Sequence, residues 1–304
     1  MDKKLQSPTP AKDPKLEMEG ETGQKSETEP SNKSRDENMN IGFIGAGNMA
    51  KAIVKGLLDS YPGDRIFISA PTDRNLAFFQ KLKCRTTHNN NDIVSQCQVV
   101  FLCVKPSQCE LVIREVTSWQ NKLIISVLAG IPLERLSRMM KEDPPPKLIR
   151  CAPNTPMMVS RGVCCISPGA GVPVQDTQLA LELLKPSCLV VKTVPESQLD
   201  AICALSGSGP AFLYMVIEAL SDGAVKMGLP RDLAIELAAA TVEGSARMVT
   251  HTGYHPGQLK DAVASPGGTT ICGIHVLEKG AVRALFMDAI EATTKKSLQL
   301  RGSQ

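Results

Sequence analysis

From residue 39 onward, the hydrophobic and polar positions alternate in a way that predicts strands followed by helices. Short apolar runs are separated by stretches with the spacing of an amphipathic helix, as at Ala50–Leu58 and Asn75–Leu82. Because the short runs are apolar almost throughout, they predict a parallel sheet with helices on both faces, an α/β fold. The strands are expected at Ile41–Ile44, Ile66–Ile68, Val99–Leu102, Leu123–Val127, Leu148–Arg150, Gly162–Ile166 and Cys188–Val191.

A different pattern begins after about Pro195. The strands stop, and long, Ala-rich helices are predicted at Gln198–Met227, Leu233–His251 and Gly273–Leu300. A helical region of this size has only a small core of its own, so helices this apolar need a second subunit to cover them. We therefore expect an α/β domain over 39–196 and an all-α dimerisation domain over 197–304.

The first 38 residues differ from the rest of the chain. Lys, Glu, Ser and Pro are frequent there, and Leu5 and Leu16 are the only branched aliphatic residues. Such a stretch buries too little apolar surface to offset the entropy lost on ordering, so we expect residues 1–38 to be disordered. Their acidic residues argue against a transit peptide, and no apolar segment suits a secretory signal. We expect a cytoplasmic protein.

Composition argues against several classes of function. The net charge of +3 is spread along 304 residues, so no basic field suggests nucleic acid as a partner. No apolar run approaches about 20 residues, so we expect no membrane span. The ten cysteines are scattered, or adjacent as at Cys164 and Cys165, rather than placed at metal-ligand spacing. We therefore expect no metal site, and free thiols in a reducing compartment.

A glycine-rich turn joins the first predicted strand to the first predicted helix. Gly45, Gly47 and Ala50 form a Gly-x-Gly-x-x-Ala pattern through Ala46, Asn48 and Met49. Gly45 allows a tight turn, Gly47 lets a pyrophosphate approach the backbone, and Ala50 lets the helix pack on the strand. The pyrophosphate would lie at the helix N-terminus. The alternative is a glycine-rich turn without a ligand. It would not explain why a strand precedes the turn and a helix follows it.

The end of the second predicted strand favours NADPH, with NADH possible. A carboxylate there would hold the ribose 2′-hydroxyl of NADH, whereas here Ser69, Thr72 and Arg74 would accommodate a 2′-phosphate. Either Thr72 or Asp73 is expected to cap the helix that follows, and Asp73 is better explained by this role than by a contact with the cofactor. Lys105, just beyond the strand at Val99–Leu102, either meets a phosphate or lies along the surface.

A second glycine-rich segment, at 265–270, suits a carboxylate. Gly267 and Gly268 let backbone N–H groups converge at the start of a helix, and the hydroxyls of Thr269 and Thr270 follow. The alternative is an ordinary helix cap formed by threonine. The segment Leu205–Pro210 is also glycine-rich and is expected to open the first long helix, either for close packing or to line a site.

From Met39 to about Leu300 the chain resembles the pyrroline-5-carboxylate reductases. The most specific match is the segment from Asp261 to Ile271, which carries the family signature. Ser69–Leu76 and Cys84–His88 are similar to the shorter, cytosolic animal form. Further motifs that carry the resemblance are Ile41–Gly47, Val104–Pro106, Asn154–Pro156, Leu205–Pro210, Val225–Pro230 and His255–Leu259.

The resemblance implies a Rossmann domain, a helical domain that interlocks with a partner's, and dimers that commonly assemble into a decamer. The reaction would be the reduction of 1-pyrroline-5-carboxylate to L-proline by NAD(P)H, the last step of proline biosynthesis. Ser265, Gly268, Thr269 and Thr270 would bind the substrate, and the Thr270 hydroxyl would bond the ring nitrogen as the catalytic group. The implied cofactor contacts are Ala46, Asn48, Met49, Ala70, Asn89, Val104, Lys105, Pro106, Val127 and Ala129.

Two other functions compete with this interpretation. A 3-hydroxyacid dehydrogenase would need a lysine base in the helical domain, and Lys226 is the candidate on the first long helix. Near the end of that helix, Lys226 is better explained as a cation that stabilises the helix terminus. An NADPH-sensing scaffold is the second alternative, and it would not need the carboxylate pocket.

Overall fold

The computed structural model describes residues 39–303, so the tail predicted over 1–38 lies outside the described residues. The strands are β1 (Ile41–Ile44), β2 (Ile66–Ser69), β3 (Arg85–Thr87), β4 (Val99–Leu102), β5 (Leu123–Ser126), β6 (Lys147–Pro153), β7 (Gly162–Pro168) and β8 (Cys188–Thr193). The helices are α1 (Asn48–Leu57), α2 (Leu76–Lys81), α3 (Asn90–Gln96), α4 (Cys109–Glu115), α5 (Leu133–Met140), α6 (Val174–Leu184), α7 (Leu199–Ile202), α8 (Gly209–Lys226), α9 (Arg231–Thr252), α10 (Pro256–Val263), α11 (Thr269–Lys279) and α12 (Val282–Ser303).

The eight strands form one sheet in the order β3-β2-β1-β4-β5-β6-β7-β8. From β3 to β6 all neighbours are parallel. The chain builds outward from β1 in one direction through β2 and β3, and in the other through β4, β5 and β6. Where the order reverses, between β1 and β4, a crevice opens at the carboxyl ends of the strands, and sheets of this kind bind ligands there.

Apolar side chains cover the sheet on both faces. Successive residues of β4 alternate: Val99 and Phe101 belong to the cluster that includes α1 and α6, whereas Val100 and Leu102 pack with α3, α4 and α5. Phe43 lies opposite Phe101 in the register of β1 and β4, and the two rings stack with centroids 4.7 Å apart. These central strands are therefore held from both sides, and their carboxyl ends are fixed in position. The expected α/β fold is confirmed.

The expectation of a wholly parallel sheet is wrong at one edge. β7 runs antiparallel to β6, and β8 pairs in parallel with β7. A parallel connection needs a crossover of about a dozen residues or more. Only the segment 154–161 joins β6 to β7, so the chain turns back on itself.

Several element predictions also need correction. The short strand β3 was missed because its residues are polar and lie at the sheet edge. The single helix predicted over Gly273–Leu300 is two helices, since Ala281 has a left-handed backbone with φ of 53° after the cap at Gly280. Helix α10 was also missed; His255 begins it with a capping box in which the His255 ring nitrogen accepts from Gly257 N–H at 3.1 Å.

The segment Leu205–Pro210 leads into the long helix α8, as predicted: α8 begins at Gly209 and has Pro210 in its first turn. It lies inside a continuous helical stretch, where Cys203–Ser208 form a π-helix between α7 and α8. Asn154 stabilises this irregular turn by donating from its side-chain nitrogen to the Ser206 carbonyl at 3.0 Å. Its side-chain oxygen accepts from Val163 N–H at 2.8 Å, so the π-helix is tied to the β6–β7 edge of the sheet.

The helical half has almost no interior within one chain. After Ala204, the buried residues of the described part are Ser221, Ala234 and Ala238. Large apolar side chains such as Met215 and Leu285 are 69% and 61% exposed. The stretch Glu196–Lys226 is long and apolar enough to cross a membrane by length and composition, although the apolar runs in the sequence had suggested no such segment.

Candidate active site

The glycine-rich turn after β1 has the geometry that its sequence predicts. Gly45 has φ of +105°, and a Cβ there would lie 2.6 Å from the Cys103 carbonyl oxygen, so the position requires glycine. The Gly45 N–H donates to the Ser69 carbonyl at 2.9 Å, which ties the turn to the end of β2. Gly47 caps α1, and a Cβ there would meet only the Cys103 oxygen, at 3.9 Å. The space over Gly47 is therefore open to a ligand.

A cavity of about 350 Å³ lies beside this turn, at the carboxyl ends of β4, β5 and β6. The N-terminus of α1 forms one wall, and its backbone N–H groups favour an anion. The helical half supplies another wall through Leu199 of α7, Cys203 of the π-helix that follows it and Ser297 of α12. Seven predicted cofactor residues line the cavity: Gly47, Asn48, Met49, Val104, Lys105, Val127 and Ala129.

The cavity contains little that could act as a general acid or base. Lys105 and Arg150 are its cationic side chains, and three thiols complete its ionisable groups. Burial raises the pKa of the Cys103 thiol well above its ordinary value, and burial also raises the pKa of Cys203. Both thiols are therefore protonated at neutral pH and are poor nucleophiles. Such a site suits a reaction whose chemistry is carried by a bound cofactor.

A larger groove, of about 980 Å³, lies between α5 and the outer strands of the sheet. Its walls include Pro145, Pro146, Pro168 and Pro195, and none of the predicted cofactor residues lines it. Volume alone would favour this groove, whereas the glycine turn and the helix N-terminus favour the smaller cavity as the candidate site.

The three residues at or just after the end of β2 that were predicted to contact the 2′-phosphate differ in their exposure. Ser69 is 1% exposed, and its hydroxyl lies 2.7 Å from Asn90 Oδ1 and 3.4 Å from the Phe43 carbonyl, so it supports the strand end from inside. Thr72 and Arg74 are exposed. Within residues 39–303, Arg74 forms no ion pair. Its guanidinium is therefore available to an anion.

The prediction that Asp73 caps a helix is wrong. Thr72 and Asn75 occupy the cap positions, and neither accepts a capping hydrogen bond through its side chain. Asp73 Oδ1 instead lies 3.3 Å from His88 Nε2, and His88 Nδ1 contacts the Ala70 carbonyl at 2.8 Å. These contacts join the loops after β2 and β3.

The other predicted cofactor residues lie along the same edge of the sheet without lining the cavity. Ala46 is buried within the glycine turn, and Ala70 is half-buried just after β2. Asn89 caps α3, where its side-chain oxygen accepts from Asn91 N–H at 3.0 Å. Pro106 begins the 3₁₀ turn that leads into α4, as its fixed φ favours.

The segment 265–270 forms a tight turn followed by a helix N-terminus. The Gly268 N–H donates to the Ser265 carbonyl at 3.0 Å, and Gly267 has φ of +67°, as at the third position of a type II turn. Gly268, rather than either threonine, caps α11, and Thr269 and Thr270 are the first two residues of this helix. No side chain caps the helix, so capping does not account for the two hydroxyls.

This segment does not line the cavity of its own chain. Ser265 and Thr269 are exposed, whereas Gly268 and Thr270 are partly buried. The structure therefore brings seven of the fifteen predicted cofactor residues to the cavity and leaves the predicted substrate residues outside it.

Sequence reasoning missed a buried charged cluster at the floor of the cavity. Arg150 on β6 is 4% exposed and lies 3.2 Å from Glu196 Oε1 and 3.5 Å from Asp200 Oδ1. Asp200 is 1% exposed, and it also accepts from Ser297 Oγ at 2.8 Å and pairs with Arg301 at 3.3 Å. An arginine within the apolar strand sequence of 148–152 was the signal for a buried partner.

Comparison with known proteins adds to this geometry. The family model described as "Pyrroline-5-carboxylate reductase dimerisation" matches residues 196–300, and the one described as "NADP oxidoreductase coenzyme F420-dependent" matches residues 40–130. Pyrroline-5-carboxylate reductase 3 of Macaca fascicularis is 42% identical over 86% of this chain and 95% of its own length.

Solved structures agree. A pyrroline-5-carboxylate reductase from Coxiella burnetii is 35% identical and superimposes with a TM-score of 0.78 over 86% of this chain and 98% of its own. The Plasmodium falciparum pyrroline carboxylate reductase with NADP bound is 29% identical, with a TM-score of 0.80 over 87% of this chain and 99% of its own. By the similarity of its sequence and of its fold, this chain belongs to the pyrroline-5-carboxylate reductase family.

Proposed function

We propose that this protein reduces 1-pyrroline-5-carboxylate to L-proline with NADPH, the last step of proline biosynthesis. The observation that carries the proposal is the composition of the cavity. One wall is the glycine turn and helix N-terminus of a dinucleotide site, and another is the helical half that matches the dimerisation domain of the family. The cavity thus joins the two parts of the molecule that this reaction needs, one for the cofactor and one for the imine.

The residues along the sheet edge fit an NADP-type dinucleotide. The open space over Gly47 and the N-terminus of α1 suit the pyrophosphate, whereas a Cβ at Gly47 would project into that space. Thr72 and Arg74, which are exposed, would hold the 2′-phosphate together with Ala70 and Asn89. Val104, Lys105, Val127 and Ala129 would hold the nicotinamide half. When bound, NADPH supplies the hydride that the imine carbon receives.

Ser265, Gly268, Thr269 and Thr270 would bind the substrate. The turn at Gly267 leads directly into the N-terminus of α11, where the backbone N–H groups suit a carboxylate. The Thr270 hydroxyl would bond the ring nitrogen while the hydride reaches the neighbouring carbon. Holding the ring by its carboxylate fixes that carbon in position, and much of the rate gain would come from this placement. A protonated imine is already electrophilic, so a strong catalytic acid is not required.

Self-association would complete the site. The dimerisation match spans the half of the chain whose apolar side chains are exposed, including Leu213, Tyr214 and Phe286. Because the segment 265–270 does not line the cavity of its own chain, a second copy would bring it there. We expect an interlocked dimer and, by resemblance to the family, a decamer. The apolar stretch Glu196–Lys226 would then be covered by protein rather than lipid.

Three further expectations belong to this proposal. The two domains divide at about residue 196, where the dimerisation match begins. All ten cysteines are free, which suits the reducing cytoplasm. The reaction needs no metal.

The test is a steady-state assay of purified protein with 1-pyrroline-5-carboxylate and NADPH, with a 3-hydroxyacid and NADP⁺ as the comparison. We expect NADPH oxidation that depends on the imine, and no turnover of the hydroxyacid. Lys226 lies in the last turn of α8, as expected for a cation at a helix terminus, and it does not line the cavity. Turnover of the hydroxyacid instead would overturn the proposal, as would binding of NADPH without any turnover.

A further inference from the structure

The last turns of the C-terminal helix lie directly against the loop that follows β5. A Cβ placed on Gly130 would be 3.8 Å from Leu300 Cβ and 4.0 Å from the Arg301 backbone nitrogen. Gly130 itself lines the cavity, next to Ala129 and Leu128, and Ser297 of α12 lines it as well. The end of α12 is therefore a wall of the cavity rather than a distant part of the helical half.

One buried carboxylate holds this wall in place. Asp200 on α7 accepts from Ser297 Oγ at 2.8 Å and pairs with Arg301 Nη1 at 3.3 Å, and both partners are on α12. The same carboxylate faces Arg150 Nη2 on β6 at 3.5 Å. Asp200 thus joins a strand of the sheet to the first and last helices of the helical half.

The charges of this cluster balance, and they converge from three directions. Arg150 also pairs with Glu196 at 3.2 Å, and Glu196 Oε1 accepts from Leu133 N–H, the first residue of α5, at 2.9 Å. Two guanidinium groups therefore face two carboxylates, and the loop between β5 and α5 is held at its far end by Glu196. The loop 127–132 is fixed between Glu196 at one end and α12 above Gly130.

We propose that Asp200, with Arg301 and Ser297, positions the end of α12 to close the nicotinamide end of the cofactor cavity. This inference rests on the proposed placement of the cofactor, in which the adenosine half lies near β2 and the nicotinamide half near β5 and β6. Asp200 and Arg301 are positioning residues: they act through the loop 127–130 and through Ser297. The adenosine half lies on the other side of the glycine turn, and the cluster does not touch it.

The decisive measurement compares the effect of one substitution on the dissociation constants of two ligands, NADPH and 2′,5′-ADP. NADPH reaches both ends of the cleft, whereas 2′,5′-ADP carries only the adenosine and phosphate groups. Arg301→Ala removes the cation that joins α12 to Asp200. We expect the dissociation constant of NADPH to rise about 5- to 10-fold, with that of 2′,5′-ADP unchanged, both measured by titration without substrate. Arg301→Lys keeps the charge and should recover part of the affinity.

Asp200→Asn provides a second variant that keeps the shape and the acceptor for Ser297. It should weaken NADPH at least as much as Arg301→Ala does, because the two arginines lose the carboxylate that they share. Lys295→Ala is the matched control, since Lys295 pairs with Glu291 on the exposed surface of the same helix. This control should leave both dissociation constants at their wild-type values.

Melting temperature and size-exclusion chromatography on each variant complete the experiment. An unchanged NADPH affinity in Arg301→Ala would overturn the proposal. Equal losses for NADPH and 2′,5′-ADP would also overturn it, because the cluster would then only stabilise the fold. Wild-type protein that binds NADPH but does not reduce the imine would refute the proposed function, while the two dissociation constants would still test the role of Asp200.

Discussion

The two halves of this chain have similar apolar content and bury it in different ways. In the α/β half, residues such as Ile41, Ile53 and Ile125 are fully buried within the chain. In the helical half, Met215, Leu285 and Met287 are more than half exposed. An apolar helix is therefore no sign of a core within its own chain. The α/β half supplies most of the lining of the proposed dinucleotide site, whereas on our proposal the helical half depends on a second copy for its burial and for bringing the segment 265–270 to the cavity.

The largest expected effect comes from a charge on the helical surface. Met215→Glu would place an unpaired carboxylate in the proposed dimer interface, which costs several kcal/mol. We expect monomers and a loss of turnover of more than about 100-fold, measured by size-exclusion chromatography and kinetics. Val174→Glu is the control in the α/β half, because Val174 is 81% exposed at the start of α6, where an acid is favourable. A dimeric, active Met215→Glu protein would remove the distinction between the two halves.

The next effect is confined to the α/β half. Gly47→Val fills the space proposed for the pyrophosphate, so the affinity for NADPH should fall by at least about 100-fold while the dimer persists. Gly45→Ala is the contrasting variant, because its Cβ would collide with the Cys103 carbonyl and its φ of +105° is strained for alanine. It should lower the melting temperature, whereas Gly47→Val should not. Near wild-type binding of NADPH by Gly47→Val would show that the cofactor lies elsewhere.

A smaller effect would show that the helical half takes part in the chemistry. Thr270→Val keeps the β-branched shape and removes the hydroxyl. A hydrogen bond to a charged group is worth about 1.5–3 kcal/mol, so turnover should fall about 10- to 150-fold. This loss of turnover should be larger than the loss of substrate affinity. Thr270→Ser should recover much of the rate. Because Gly268 caps α11, the melting temperature should not change. Normal turnover with earlier melting would refute the catalytic role.

The smallest effect concerns cofactor choice within the α/β half. Arg74 is exposed, so its contact with a 2′-phosphate is screened by solvent and is worth about 1 kcal/mol. Arg74→Ala should weaken NADPH about 5-fold and leave NADH unchanged. Lys81→Ala, an exposed cation at the end of α2, is the control. Equal losses for the two cofactors would place the 2′-phosphate contact at another residue.

The amino-acid sequence by itself determined what depends on a few neighbouring residues. The turn at Gly45 requires a left-handed backbone without a side chain, and glycine is the residue that meets this need at no steric cost. The buried strands β1, β2, β4, β5 and β6 were readable for a similar reason, since each carries its own apolar run. The turn at Gly267 and the helix start after it were readable in the same way.

Only the tertiary structure decided what depends on residues that are distant in sequence. The reversal of β7 and the pairing of the polar strand β3 follow from contacts with neighbouring strands. Arg150, Asp200 and Ser297 are separated by 50 and 97 residues, and no local pattern indicates that they meet. Their meeting follows from packing, because a buried charge must find its partner wherever the fold brings one within reach.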